Sequence, residues 1–299
     1  MELVTLFYLI DEFCKEYEPQ WQQSLLDNGL KQRRTSSRLS LSEILTITIY
    51  FHLSGYRMFK WYYERDIQGS GFAASCFPSS VSYTRFLELM SDSLVPLGHC
   101  LLWLCSLSTQ TGIQFIDSTS LVVCSNLRIN QHQVFKHSAA RGRTSEGWFY
   151  GFKLHIIVND KGELLAVRMT PGNISDANKT VVGGLAKGLQ GRLFADKGYI
   201  SQDLFKTLWQ QGLQLVTNVR KNMKNKLLPL MDKLLLRRRF IIETVNDHLK
   251  NNEQIEHSRH RSPTNFCTNV LAGLIAYQLQ PKKPSLRLGR DLRLTASVA

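Results

Sequence analysis

The spacing of apolar residues separates a helical first third of the chain from a mixed remainder. Residues 1–106 hold several short runs with apolar side chains three and four positions apart, the spacing of helices that bury one face. LVTLFYLIDEFCKEY predicts a helix that ends before Pro19, and Ser40-Leu-Ser-Glu43 has the form of a capping box opening a second helix. The pattern therefore predicts a smaller all-α N-terminal domain over residues 1–106.

From Gly112 onward, runs rich in β-branched residues alternate with helical spacing. Asp160-Lys-Gly162 predicts a turn between two strands of a hairpin, and residues 126–147 read as a polar, basic surface loop. The predicted strands are 114–125, 148–159, 163–169, 193–195 and 213–219, and the predicted helices are 175–190, 201–211, 234–250 and 268–280. This order predicts a mixed α/β domain over residues 112–280, followed by a basic, disordered tail at 281–299.

The helix predicted at Leu234–Lys250 carries an acidic residue on an otherwise basic face. At 3.6 residues per turn, Arg239, Glu243, Asn246 and Lys250 project from one side. Such a face suits a ligand that carries both metal and phosphate. Ordinary charge pairing on a solvated helix is the alternative.

Charge is distributed unevenly along the chain. The net charge is +13 over 299 residues; residues 1–110 hold nine Lys or Arg and eleven Asp or Glu, so the excess of positive charge lies in the remainder. A one-sided basic excess favours a polyanionic partner, most plausibly nucleic acid. The near-neutral helical domain suits either binding of a DNA end or dimerisation.

Other features bear on location. No apolar run is long enough to span a bilayer, and the N-terminus has neither the basic start nor the cleavage site of a signal peptide. The six cysteines lack CxxC spacing, which is typical of buried thiols in a reducing compartment. We therefore expect a cytoplasmic protein that does not enter a membrane.

Three carboxylates occupy positions suited to metal chemistry. Asp117 lies inside a strand, where a buried charge is costly unless it binds something. Asp196 ends a strand, the place where α/β sheets hold ligand groups, and Glu243 lies on the basic helix. Carboxylate oxygens suit Mg²⁺ or Mn²⁺, and a pair of such ions supports in-line displacement at phosphorus. Each Asp taken alone also suits a cap or a turn.

Three motifs together resemble the DDE transposases of bacterial insertion sequences, specifically a compact group like insertion sequence 982. FIDSTS is similar to the first Asp strand, ADKGYIS to the second, and RFIIETVNDHLK to the third motif, Tyr-x₂-Arg-x₃-Glu-x₆-Lys. Arg239, Glu243 and Lys250 match that spacing, whereas Leu236 stands in place of the Tyr. The resemblance covers residues 112–280 and implies an RNase H-like catalytic domain.

The resemblance also implies roles for these residues. Asp117, Asp196 and Glu243 would be the catalytic residues and the ligands of two Mg²⁺ ions, which Mn²⁺ can replace. The reaction would be hydrolysis at the element ends followed by attack of the freed 3′-OH on target DNA. The partners would be double-stranded DNA, as terminal inverted repeats and target, and a second copy in a synaptic homodimer at the bacterial nucleoid. The DNA-binding residues would be Arg239, Lys250, Asn246, Lys153, Lys197, Arg141 and Arg143.

Several side chains in this region also have a structural interpretation. Lys153 and Lys197 suit plain surface charges, and His155 suits a sheet histidine, whereas His137 lies in the basic loop and could touch DNA. The aromatic run Trp148–Tyr150 suits core packing better than stacking on a base.

Two other functions stay open: a different RNase H-like nuclease, acting on hybrids or junctions, and a DNA-binding remnant without catalysis.

Overall fold

The structure of the chain, a computed structural model, describes residues 1–29, 37–145, 147–218, 228–256 and 260–286. The basic stretch 220–226, Glu146 of the predicted loop and the tail beyond residue 286 lie outside the described residues. The chain forms two compact units. One unit joins Met1–Leu104 to Leu249–Pro281, and the other joins Cys105–His248 to the chain from Lys282 onward.

The first unit is helical. Its elements include α1 (Leu3–Asp27), α2 (Leu41–Leu53), α3 (Phe59–Tyr62) with a π-helical turn Tyr63–Ile67, α4 (Phe72–Cys76), α5 (Tyr83–Asp92) and most of α6 (Leu94–Ser106). The prediction that the first helix ends before Pro19 is wrong, because α1 continues through Pro19 for two further turns. The predicted capping box at Ser40 is confirmed: Ser40 Oγ accepts from the Glu43 backbone amide, and Glu43 Oε2 accepts from the Ser40 amide at 2.7 Å.

The C-terminal helix belongs to this unit, although the sequence places it with the α/β domain. The first unit holds α11 (Pro263–Leu279), which packs on α2 and is buried along most of its length. The Nδ1 atom of His52 lies 2.6 Å from the carbonyl oxygen of Glu253. A Cβ at Gly273 would lie 2.4 Å from Ile255 Cγ2, so glycine permits this close approach. An apolar helix of this kind needs cover on every side, and α2 supplies part of it.

The second unit is built on a sheet of six strands in the described residues. The strands are β1 (Ile113–Cys124), β2 (Ala140–Thr144), β3 (Gly147–Asn159), β4 (Leu164–Pro171), β5 (Gly191–Ala195) and β6 (Leu213–Thr217). Their order is β2-β3-β1-β5-β6, with β1, β3 and β4 antiparallel and β5 and β6 joining in parallel. Because β1 covers one edge of β3, β2 and β4 share its other edge. The predicted mixed α/β fold is confirmed.

Helices flank this sheet: α7 (Lys179–Leu185), α8 (Gln202–Gln210), α9 (Leu230–Arg237) and α10 (Phe240–Asn251), the last of which continues into the first unit. One core cluster joins Ile116 and Leu193 of the sheet to Val182 and Leu204 of the helices. The α7 helix is shorter than the predicted 175–190, since Asn178 Oδ1 caps it by accepting from the amides of Thr180 and Val181.

The single helix predicted at 234–250 is broken between α9 and α10. At 100° per residue, one continuous helix would place Leu236 and Val245 on roughly opposite sides. The break lets both side chains be buried, at 5% and 0% exposure. Arg239 therefore precedes α10 instead of lying inside a helix.

The predicted basic loop 126–147 contains regular structure. A 3₁₀ segment spans Asn126–Gln131, and β2 pairs with the start of β3. The start of the predicted disordered tail is also ordered, since the Leu286 amide donates to the Asp160 carbonyl at 2.7 Å. Among the described helices, none alone is long and apolar enough to cross a membrane; only the bent pair α5–α6 reaches that length, with 57° between its halves. The six cysteines are free thiols.

Candidate active site

Asp117 lies on β1 where the strand passes from buried to partly exposed positions. Ile113–Ile116 are buried, while the side chain of Asp117 keeps 22% of its surface exposed. Burial raises the pKa of its carboxyl to about 6, against the lowering effect of the Arg239 guanidinium. The structure therefore places a partly desolvated carboxylate in the middle of the sheet, as expected from the sequence.

Arg239 links Asp117 to Glu243. Its Nη1 lies 3.9 Å from Asp117 Oδ2, and its Nη2 donates to Glu243 Oε1 at 2.7 Å. The break before α10 directs Arg239 toward β1, while Glu243 follows one turn later with a largely exposed side chain. One guanidinium thus serves as counter-ion to two of the three predicted carboxylates.

Asn246 reaches the same aspartate. Its Nδ2 donates to Asp117 Oδ2 at 3.3 Å, and the residue is 8% exposed. Its Oδ1 is buried without a hydrogen-bond partner in the described part of the chain. The side chain of Asn246 therefore contacts Asp117 and is largely withdrawn from solvent.

The parallel pairing of β1 with β5 brings the second predicted aspartate to the same region. Ile113 pairs with Arg192 and Phe115 with Phe194; the paired positions end there, two residues before Asp117 on β1 and two residues before Asp196. The rings of Phe115 and Phe194 lie 5.5 Å apart on one face, the face to which Asp117 and Asp196 also belong by strand alternation. Asp196 keeps an extended backbone and is exposed.

Tyr199 anchors the segment that follows β5. It follows Asp196 in a short 3₁₀ turn and is 2% exposed. Its side chain belongs to the same core cluster as Ile116 of β1 and Leu193 of β5. Burial raises the pKa of its hydroxyl well above the ordinary value.

Asp176 is a neighbour of this site that was not among the residues predicted from the sequence. Its Oδ1 accepts from Ser118 Oγ at 2.6 Å and pairs with Lys153 Nζ at 2.9 Å. The negative charge of Asp176 is one of the contributions that raise the pKa of Asp117. The sequence contained a signal for this role: Asn178 is as good a helix cap as Asp176, so the Asp176 side chain remains available for other contacts.

Lys153, predicted to bind DNA, lies inside the protein. It is 7% exposed and its register partner on β1 is Ser120, whereas Asp117 pairs with Ile156. A Lys buried in an ion pair with Asp176 does not present its ammonium group to a phosphate. The burial of Lys153 and its ion pair with Asp176 therefore do not support that prediction.

The other predicted DNA-binding cations have separate positions. Arg141 and Arg143 are exposed on β2, and Lys197 is exposed in the turn after Asp196. Lys250 belongs to the first unit, where its Nζ lies 3.0 Å from Glu256 Oε2. The structure thus shows Arg239 and Asn246 in contact with Asp117.

The histidines and aromatic residues of this region divide clearly. His155 is fully buried, its Nε2 lies 2.9 Å from Thr170 Oγ1, and burial lowers its pKa to about 4, which confirms a sheet histidine. His137 is exposed in the segment before β2. Phe149 and Tyr150 are buried as expected, but Trp148 is 64% exposed, so core packing does not describe it.

The donor atoms around Asp117 are oxygens of carboxylates and an amide, the type that hard divalent cations prefer. Within the described ranges, no group of three or more His, Cys, Asp or Glu side chains is gathered closely enough to hold a metal ion. Arg239 supplies the positive charge between Asp117 and Glu243 instead. Convergence of all three carboxylates on a metal stays a prediction.

Comparison with known proteins identifies the family. A family model described as a transposase DDE domain matches residues 107–263, more than half of the chain. Among solved structures, a piggyBac transposase synaptic complex with hairpin DNA, determined by cryo-EM, is similar with a TM-score of 0.48 and 12% identity over 99% of this chain and 80% of that one. None of the curated proteins compared with the chain matches it. The matched segment contains β1 with Asp117, the end of β5 with Asp196 and α10 with Glu243, and the chain belongs to the family of DDE transposases.

Proposed function

We propose that this protein is the transposase of a bacterial insertion sequence, which hydrolyses the phosphodiester bond at the element ends and joins the freed 3′-OH to target DNA. Asp117, Asp196 and Glu243 are the proposed catalytic carboxylates. The observation that supports the proposal is the β1–β5 register, which pairs Phe115 with Phe194, two residues before Asp117 and two residues before Asp196. The third proposed carboxylate, Glu243, is linked to Asp117 through the guanidinium of Arg239, which pairs with both.

The residues present fit divalent ions in their chemistry. Besides the three carboxylates, the buried Oδ1 of Asn246 lacks a hydrogen-bond partner in the described chain and lies on the residue that contacts Asp117. In the proposal, Asp117, Asp196 and Glu243 hold two Mg²⁺ ions, for which Mn²⁺ can substitute. Such ions supply an activated water and stabilise the leaving oxygen of an in-line displacement.

The remaining residues of the site hold Asp117 in place. Arg239 balances the charge of two neighbouring carboxylates, which lowers the cost of keeping Asp117 ionised while partly buried. Asn246 donates to Asp117 Oδ2 and orients that carboxylate. Asp176 holds Ser118, the next residue on β1, by a short hydrogen bond. In this proposal Arg239 is first a counter-ion and only secondarily a phosphate contact.

The proposed substrate is double-stranded DNA at the bacterial nucleoid, first the terminal inverted repeats of the element and then the target. The basic excess after residue 110 suits a polyanion, and Arg141, Arg143, Lys197 and Lys250 are the proposed phosphate contacts. Two copies in one synaptic complex would bring two element ends together. The helical first unit is proposed to bind the DNA end or to form the dimer.

The test is cleavage of a labelled duplex that carries the terminal repeat found beside the reading frame. Asp117→Asn, Asp196→Asn and Glu243→Gln should each lower the cleavage rate in Mg²⁺ by on the order of 100-fold or more, since each removes a proposed metal ligand. Binding of the duplex should persist, and calorimetric titration should show weaker binding of Mn²⁺ to each variant.

A matched control is Asp203→Asn, which makes the same change at an exposed carboxylate in the first turn of α8. This control should cut like the wild type. An RNA–DNA hybrid of the same sequence tests the other nuclease functions. Cleavage at the wild-type rate by any of the three site variants would remove that residue from the proposal, and preference for the hybrid would reject the transposase assignment.

A further inference from the structure

Trp148 at the start of β3 stands apart from its neighbours. Its side chain is 64% exposed, while Phe149 and Tyr150, which follow directly, are 6% and 7% exposed. A large aromatic side chain left in solvent forgoes the burial that normally accounts for its presence. Its surroundings indicate what it contacts instead.

A pocket of about 300 Å³ opens beside this ring, lined by Asn126, Ile129, Arg141 and Trp148. Asn126 Nδ2 donates to the Trp148 carbonyl at 2.7 Å, so the 3₁₀ segment is tied to β3 at the wall of the pocket. The volume is at the lower end of the range typical of small-ligand sites. A flat, partly apolar ligand of one ring system suits this space.

Cations border the same ring. Arg143 pairs with Trp148 across β2 and β3, and its guanidinium carbon lies 5.7 Å from the ring centroid. Gly142, between the two arginines, is buried, and a Cβ there would lie 2.5 Å from the Phe149 ring, so the hairpin is closely packed behind the exposed arginines. The hairpin thus presents an aromatic face and two guanidinium groups on one side.

The segment that forms the pocket has an excess of positive charge. Residues 126–148 contain four Lys or Arg and one acidic residue, Glu146. Leu127, which follows Asn126 in the 3₁₀ segment, is 96% exposed and adds apolar surface to this segment. A ligand that matches all of these features carries a planar ring and negative charge together, which is the composition of a nucleotide in a single strand.

We propose that this hairpin pocket binds an unpaired nucleotide of DNA, with its base stacked on Trp148 and its adjacent phosphates bound by Arg141 and Arg143. In duplex DNA the faces of the bases are covered by stacking, so the pocket would take a base next to a cut or at a frayed end. The inference rests on the proposed function for the presence of DNA. It adds a site that recognises single-stranded character.

The test uses a terminal-repeat duplex with a three-nucleotide single-stranded overhang that contains 2-aminopurine, beside a blunt duplex of the same sequence. Wild-type protein should bind the overhang duplex more tightly than the blunt one and quench the probe by stacking. Trp148→Ala should remove the quenching and weaken overhang binding by roughly tenfold or more, the equivalent of about 1.4 kcal/mol. Trp148→Phe should restore most of both, because a smaller aromatic ring still stacks.

Trp209 provides a matched control, since it is 61% exposed but lies on α8. Trp209→Ala should leave quenching and overhang binding as in the wild type. Equal loss in both alanine variants would overturn the inference, as would an unchanged Trp148→Ala. If Trp148→Ala binds blunt and overhang duplexes equally weakly, Trp148 contacts only the duplex backbone. If Trp148→Ala loses self-association while its DNA binding is unchanged, Trp148 belongs to a protein interface. Either result overturns the stacking site.

The experiment distinguishes failure of the stacking site from failure of the proposed function. If wild-type protein cuts the terminal-repeat duplex while Trp148→Ala keeps its overhang preference, the stacking site fails and the transposase assignment stands. If the wild type neither binds nor cuts any terminal-repeat duplex, the proposed function fails first. Circular dichroism of Trp148→Ala checks that the hairpin is folded.

Discussion

Four basic residues in the strands of one sheet divide into two contrasting pairs. Lys153 on β3 and Arg192 on β5 are each 7% exposed and pair with Asp176 and Asp232. Arg141 and Arg143 on β2 are exposed beside an aromatic ring. The strands of the first pair lie inside the sheet, while β2 lies at its edge.

The difference teaches that a basic residue in a strand says little about function until its partner is known. A buried cation needs a carboxylate, and the pair then stabilises the fold by avoiding an unpaired charge. A cation at an exposed edge costs little to hold and remains available to a phosphate. Lys153, which the sequence suggested as a DNA contact, therefore belongs with the structural pair.

The largest expected effect is loss of the buried ion pair between β5 and α9. Arg192→Leu would leave Asp232, 1% exposed, without its 2.8 Å partner, at a cost of about 3–5 kcal/mol in the free energy of unfolding. Urea denaturation followed by circular dichroism measures this. The double variant Arg192→Leu/Asp232→Leu should recover most of the loss, and a single variant as stable as the wild type would show that the pair contributes nothing.

The next effect concerns a buried carboxyl in the first unit that has no such cation. Glu253 is 1% exposed, accepts a hydrogen bond from Gln280 Nε2, and has no Lys or Arg within ion-pair distance among the described residues. Burial raises its pKa from 4.5 to about 8. The folded state therefore holds a proton that the unfolded state releases, and this contribution to stability, present below pH 4.5, is lost as pH rises through 8.

Glu253→Gln should remove that pH dependence. Between pH 5 and pH 8 the wild type should lose on the order of 3 kcal/mol relative to the variant. Thermal or urea melts at the two pH values give the comparison, with Glu88→Gln, an exposed carboxylate on α5, as control. A constant difference between wild type and Glu253→Gln across this range would contradict the raised pKa.

The smallest expected effects come from replacing one buried cation and one exposed cation, which compares the two kinds directly. Lys153→Met should lower stability by about 1–3 kcal/mol, reduced because Asp176 keeps 33% of its surface exposed, and should leave the salt dependence of DNA binding unchanged. Arg141→Ala should change stability by less than about 0.5 kcal/mol but lower the salt slope by about one unit, as expected for one lost phosphate contact. Denaturation and binding across a salt series would be measured on both; the reverse pattern would overturn the comparison.

Local sequence predicted much of this protein for identifiable reasons. The order of strands and helices after Gly112 was read from hydrophobic periodicity, and it led to the mixed α/β fold that the structure confirms. The capping box at Ser40 was likewise predicted from local spacing. The three motifs that contain Asp117, Asp196 and Glu243 resemble those of the DDE transposases, and the match over residues 107–263 shows that family. Among the apolar residues of 234–250, Leu235, Ile241, Ile242, Val245 and Leu249 are buried, whereas Leu234 and Phe240 are exposed.

Only the tertiary structure decided which partner each polar side chain meets. The break before α10 turns Arg239 toward Asp117, and the capping of α7 by Asn178 leaves Asp176 to hold Ser118. Lys153 on β3 is buried in an ion pair with Asp176, whereas Trp148 at the start of the same strand is exposed. Residue spacing along a chain states which side of an element is apolar, but the element that covers that side is set by contacts between segments far apart in sequence.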